Sequence, residues 1–315
     1  MSLLSICTAA LTEIGLPALP TIIGNPDAQA VQTLALANRA GKEMAGDPRS
    51  AGYWQQLRKQ YTFQTSGVGP YTCTVTPGST TLTNLSSTVG ITVGQNVYST
   101  GLVNDTLVVP PGVVGTSVST SQAPTATIAL SGQSVTFATE SYALPSDLGH
   151  LIVQTEWDRN FRWQLLGPLD AQEWQVIKSG ISPVGPRMRF RIMQGMFYIN
   201  PVGSSTSLFT DTIAYEYVSS WWTALSGAPT VGVSNTWQND TDVSLISEDL
   251  MVMSLKWRFL KAKGLDWEKE EKDYMVKFDR IAGRAASARN LPLNARASGI
   301  RLLNSQNVPD TGFGS

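Results

Sequence analysis

Charge is almost missing from one stretch of this chain. Residues 67–139 hold a single ionisable carboxylate or cation, Asp105, where soluble domains carry about a quarter charged residues. Cysteine is also scarce. Cys7 and Cys73 are the only two, far apart in sequence, so they are expected to be free buried thiols in a reducing compartment. His150 is the only histidine. One histidine and two separated cysteines leave almost no material for a zinc site, and any Ser-His-Asp or Cys-His centre would have to use His150. No apolar run reaches the ~18 residues of a membrane span. The start of the chain lacks a basic region before its apolar residues and reads as an amphipathic helix, not a signal peptide. The formal net charge of −1 excludes an electrostatic DNA binder.

What is present falls into two kinds of chain. The 67–139 stretch is Thr, Ser, Val and Gly with short apolar alternations. Val, Ile and Leu recur at spacings that a disordered linker would not need. β-Branched residues suit pleated surfaces, and strands are expected near 72–76, 80–85, 96–100, 106–109, 113–119, 125–130 and 134–138. Pro77-Gly78, Gly94, Gly101, Asn104-Asp105, Pro110-Pro111-Gly112 and Gly132 supply the turns between them. On both sides the chain returns to charge, Trp, Met and helix formers. The expected organisation is a core of 1–66 with 140–290, an inserted β domain at 67–139, and an extended tail at 291–315.

The flanking segments carry helical signals. Leu3, Leu4, Ile6, Cys7, Ala10, Leu11 and Ile14 form a stripe that stops at Gly15 and Pro17. A second helix starts near Asn25-Pro26-Asp27 and ends near Gly46. A short helical turn leading into a strand is expected across 53–63. Residues 186–200 read as a hairpin, with Arg187, Arg189 and Arg191 alternating with Met188, Phe190 and Ile192 and a turn at Gln194-Gly195. A strand or helix is expected across 152–163 and a strand across 212–222. Asp242 or Ser247 caps a long helix to Ala262, Gly264 breaks it, and Asp266 caps another. The fold class expected from these elements is α+β.

Chemistry is hard to find. No P-loop and no Gly-x-Gly-x-x-Gly is present. Glu140, Asp147, Glu156 and Asp158 lie close in sequence and could hold a glycosidase pair, although nothing singles out two of them. The arginines at 187, 189 and 191 could touch a phosphate backbone, but an exposed strand face pairing with neighbouring acids explains them more simply. Nine tryptophans lie outside 67–139. Most are expected in the core, since each buries ~200 Å². Trp is also enriched at interfaces, and Trp221, Trp222, Trp257 and Trp267 are the candidate interface residues.

Three segments together resemble the head-to-tail adaptor (connector) family of tailed phages, which includes the tail tubular protein A of short-tailed phages. The first is Ala10-Leu11-Thr12-Glu13-Ile14-Gly15, followed by Trp54, Leu57 and Tyr61-Thr62-Phe63. The second is Tyr142-Ala143-Leu144-Pro145-Ser146-Asp147, with Phe197-Tyr198-Ile199-Asn200-Pro201 and Thr212-Ile213-Ala214-Tyr215-Glu216-Tyr217-Val218-Ser219 downstream. The third runs from Glu248-Asp249-Leu250 through Trp257 to Asp266. The resemblance covers 1–66 and 140–285.

The resemblance implies a non-enzymatic virion protein with no cofactor, made in the host cytoplasm and placed in the particle's neck. It implies a helical bundle with an antiparallel β extension, and a homo-oligomeric ring, commonly of twelve subunits. The implied partners are the portal protein, the tail nozzle protein and, in short-tailed phages, tail fibres. Genomic duplex passes through the channel during ejection without specific binding. The insert, with Val93-Gly94-Gln95-Asn96-Val97, Leu107 to Gly112 and Thr127 to Ser131, looks like small β modules of phage structural proteins and is expected to be sandwich- or barrel-like. Arg284, Arg289, Arg296 and Arg301 belong to a basic segment that, on this reading, docks on the portal. A carbohydrate-binding or cell-wall-acting tail component, with 67–139 as its lectin-like part, is the alternative.

Overall fold

The computed structural model describes residues 1–46, 54–179, 187–200 and 211–285. The fold is α+β: five α-helices among the described residues, and antiparallel sheets. The helices are α1 (Leu3–Glu13), α2 (Ala28–Gly46), α3 (Ala171–Lys178), α4 (Glu248–Lys263) and α5 (Glu268–Ala285). The chain divides into two compact units. Of the described residues, one comprises 1–46, 54–60, 145–152 and 216–285, the other 61–144, 153–179, 187–200 and 211–215. The division falls inside two strands, Arg58–Gln64 and Thr212–Ser219, so each gives residues to both units.

The first unit is built on helices. Ser2 caps α1, its hydroxyl accepting from the Ser5 N–H at 3.3 Å, and Leu3, Ile6, Cys7, Ala10 and Leu11 are buried along one face. Gly264, at φ +71°, ends α4 in the left-handed conformation that glycine adopts without steric cost. α4 packs on α1, α2 and α5. The buried face of α2 is mostly small residues, Ala30, Ala37, Ala40, Gly41 and Ala45, with Thr33 and Met44. The reason lies in Trp222, which is fully buried. A Cβ on Gly41 would come within 2.2 Å of the Trp222 ring, so only glycine lets the indole lie against the helix. Trp237 meets Trp222 edge-on at 5.1 Å. The predicted helical turn and strand are there, as a 3-10 turn at Gln55–Leu57 and the strand Arg58–Gln64.

The second unit holds two kinds of structure. Strands Arg189–Met193 and Met196–Asn200 form the expected hairpin. Its turn has positive φ at Gln194 and Gly195, as a two-residue hairpin turn requires. Met188 and Phe190 point inward, while Arg187, Arg189 and Arg191 lie half-buried on the other side. An aromatic column forms the interior: Phe190 stacks on Phe197 at 4.8 Å, Phe197 on Tyr215 at 5.4 Å, and Phe63 contacts Phe197 and Tyr142. The 152–163 region is neither one strand nor one helix. Its strand is the two-residue Trp157–Asp158, which pairs with Trp163–Gln164 on one side and with Ile213 and Ala214 on the other.

Residues 67–139 fold as two three-stranded antiparallel sheets. One is ordered Gly67–Val75, Leu130–Ala138, Asn96–Ser99, and the other Thr81–Leu82, Ser117–Thr120, Val108–Val114. Cys73, Val75, Leu82, Val97, Val108, Val118, Val135 and Phe137 form their shared apolar cluster. Four local expectations fail, the first being Gly132, which lies inside the single strand Leu130–Ala138 and not in a turn. The expected strand across 113–119 is two strands turned at Gly115. Pro110-Pro111-Gly112 is no turn but a bulge inside Val108–Val114, a place that tolerates residues unable to donate to the ladder. Pairing in the expected 125–130 strand begins only at Leu130.

Candidate interaction surface

Two polar clusters and one aromatic surface gather the residues singled out from the sequence. The first cluster lies in the helical unit. Asp147 follows Pro145-Ser146 and is buried. Its Oδ1 accepts from the Tyr217 hydroxyl at 2.8 Å, and its Oδ2 accepts from Ser219 Oγ and Lys59 Nζ, each at 2.7 Å. Burial alone would raise this carboxyl, but the donors Lys59, Ser219 and Tyr217 outweigh burial and hold it below the ordinary carboxylate range. A carboxylate filled by three donors is an anchor between segments, not a free base. His150 sits beside it on the strand Leu148–Leu151, paired with Val218. Burial pushes its imidazole below its ordinary value, so it is neutral at pH 7. It lines a pocket of about 480 Å³ with Lys42, Gly149, Ser219 and Asn235.

The second cluster lies in the other unit. Asp105, the lone charge of 67–139, meets Lys178 Nζ at 2.5 Å. Lys178 also pairs with Glu140, whose Oε2 accepts from Asn96 Nδ2 at 2.5 Å. Lys178 ends α3, a helix the sequence reading missed. Its signal was present: Asp170 caps it, accepting from the Glu173 N–H at 2.7 Å, with Glu173 in the first turn. This is the Asp-x-x-Glu form of a capping box.

The other carboxylates of the sequence cluster are enclosed. Glu156 is 0% exposed and Asp158 is 4% exposed, so neither presents an oxygen to a sugar. Burial raises both, with backbone N–H groups partly opposing it. Asp211 was not singled out from sequence. It is fully buried and is pushed up to about 6 by burial and by the charge of Asp158. Among the described residues no group of three or more His, Cys, Asp or Glu could hold a metal ion. Cys7 and Cys73 are free and buried; burial, with Asp240 nearby, lifts the Cys7 thiol to about 12.

The four tryptophans part ways. Trp222 is sealed in the core of its unit and donates to the Asn235 carbonyl at 3.1 Å, so it offers no surface to a partner. Trp221 is half-buried under Lys59, whose Nζ stands 5.6 Å from the ring. Trp257 and Trp267 come together, their rings 6.3 Å apart on α4 and just before α5. Lys261 stands 4.1 Å from Trp267, and Arg258 lies 4.2 Å from Trp257. Arg258 is itself buried, donates to Ser254 Oγ at 2.8 Å and pairs with Glu43. Trp257 is itself buried in the core of its unit, so of this pair only half-buried Trp267, with exposed Lys261 over its ring, is open to a partner, a cation on an aromatic face of the kind that protein interfaces favour. Arg284 lies in α5, while Arg289, Arg296 and Arg301 fall outside the described residues.

Neither the protein-family models nor the curated proteins contain a match to this chain.

Proposed function

We propose that this chain is a structural, non-enzymatic virion protein of a tailed phage, a head-to-tail adaptor that joins the portal to the tail. The observation that carries this reading is the order and spacing of the three family-like segments. Their residues also converge in space. Lys59, Asp147, Tyr217 and Ser219 come from three separated stretches and close on one buried carboxylate. α1 and α4, from the first and third segments, pack on each other.

On this reading α1, α2, α4 and α5 are the helical bundle of the adaptor, and the hairpin 189–200 with its neighbours is the β extension. The two sheets of 67–139 form a small sandwich that serves as a platform for tail fibres. The α4–α5 surface with Trp267 and Lys261 faces other virion proteins, and the basic 284–301 segment docks on portal subunits. Twelve copies form a ring in the neck, with the tail nozzle below and duplex DNA passing through. A channel should not grip what it transmits, because each neutralised phosphate adds salt-dependent affinity. The net charge of −1 fits that need.

Truncation after Leu291 tests the docking segment. Loss of co-sedimentation with purified portal rings is expected, and undiminished binding would remove the segment from the proposal. Binding of the full chain to cell-wall glycan, with none to portal, would favour a carbohydrate-binding tail component instead.

A further inference from the structure

The 67–139 module and its surroundings within the same unit show how it is held. Its apolar cluster draws only on residues between 68 and 137. Among the described residues, no strand of the module packs extensively on a helix or strand outside it. The chain enters and leaves through one narrow neck. There Thr139 N–H donates to the Ser66 carbonyl at 2.9 Å, and the Tyr142 hydroxyl accepts from Ser66 N–H and donates to the Thr139 carbonyl. A self-contained body on a two-chain neck is free to pivot unless something else fixes its bearing.

Lys178 is that fixture. Its ammonium binds Asp105 of the module and Glu140 of the neck, and Asn96 of the module binds the same Glu140. The Lys178 side chain is 11% exposed and that of Glu140 8%, so water competes poorly for either. The Trp174 ring lies 5.7 Å from the ammonium, and Trp174 is itself buried, which fixes the end of α3 from which Lys178 reaches. A module that carries one charge spends it on this contact.

We propose that the 67–139 module is a pivoting arm and that Lys178 is its latch. With the latch made, the arm has one bearing; with the latch removed, the arm swings on its neck while each part stays folded. The inference is independent of the adaptor reading.

Spin labels on V114C, an exposed site of the module, and Q194C, at the hairpin tip of the same unit, measure the bearing as a distance distribution. The native thiols are fully buried and do not compete for label. The full chain should give one narrow distribution. K178M should broaden it at least twofold while the far-ultraviolet circular dichroism is unchanged. D105N keeps the Lys178–Glu140 pair and should broaden it less. A K178M distribution that superimposes on the parent overturns the proposal. Should K178M fail to fold, D105N decides alone, and an unchanged width there overturns it equally.

Discussion

The 67–139 module and the helical unit solve the same problem with different materials. The module's core comes from one contiguous stretch of β-branched and small residues, and its polar side chains are hydroxyls and amides. The helical unit draws its core from residues as far apart as Leu3, Trp54, Val218 and Phe278. It buries charge as it does so, at Asp147 and Arg258. Local connectivity sets the register of short strands without help. Segments separated by over a hundred residues pay more loop-closure entropy, and directional charge-assisted bonds fix which segments meet. Charge therefore appears where distant segments are joined. The module's single carboxylate obeys the same rule, since it serves attachment and not the module's interior.

The largest test of this contrast removes one large core residue from each region. Trp222→Ala and Phe137→Ala should each cost about 3–5 kcal/mol. Hydrogen exchange should rise in the helical unit for the first and within 67–139 for the second. Exchange that rises everywhere with either variant would erase the distinction. Next comes Gly41→Val, which forces a side chain into the Trp222 ring. Overpacking of this kind costs about 1–3 kcal/mol or more, and a variant as stable as the parent in urea would contradict the packing of α2.

Asp147→Asn should be destabilising by about 1–3 kcal/mol at pH 7, because buried donors lose their acceptor charge. Asp147 is held below its ordinary range in the folded protein, so its contribution is present above the unfolded carboxylate value and is lost as pH falls through the lower folded value. The gap in Tm between parent and variant should close in acid. The smallest effect has the opposite sign. Asp211 is raised to about 6, so its contribution is full below the unfolded value and is lost as pH rises through about 6. Asp211→Asn should therefore raise Tm relative to the parent above pH 6 and leave it unchanged near pH 4. A gain at pH 4 instead would show that Asp158 and burial do not govern this group.

What could be read from sequence follows the same divide. The β character of 67–139 was legible because Thr and Val alternation and glycine turns are local signals. α1 was legible from its apolar stripe, α2 from its Pro26-Asp27 start, and α4 and α5 from first-turn acids and the break at Gly264, although Ser247 precedes α4 without a side-chain capping bond and Asp242 accepts instead from the Gln238 and Asn239 N–H groups. Strand ends inside the module were not. Gly115 splits what reads as one strand, and Pro110-Pro111 sits in a bulge that only a partner strand can define. The capping box of α3 was readable in principle, but eight residues carry too short a stripe to stand out beside it. Trp222 illustrates the limit for the site. Trp221 and Trp222 are neighbours of one residue type, and only the small face of α2 decides that one is sealed and the other half-exposed. The Lys178 cluster depends on residues 96, 105, 140 and 178 meeting in space, which no spacing along the chain announces.

The most direct test of the adaptor proposal is electron microscopy of the full chain mixed with its cognate portal ring. The account predicts a stoichiometric collar on one end of the portal, with copy number set by the ring. Portal rings left bare, with this protein remaining free in solution, would contradict it.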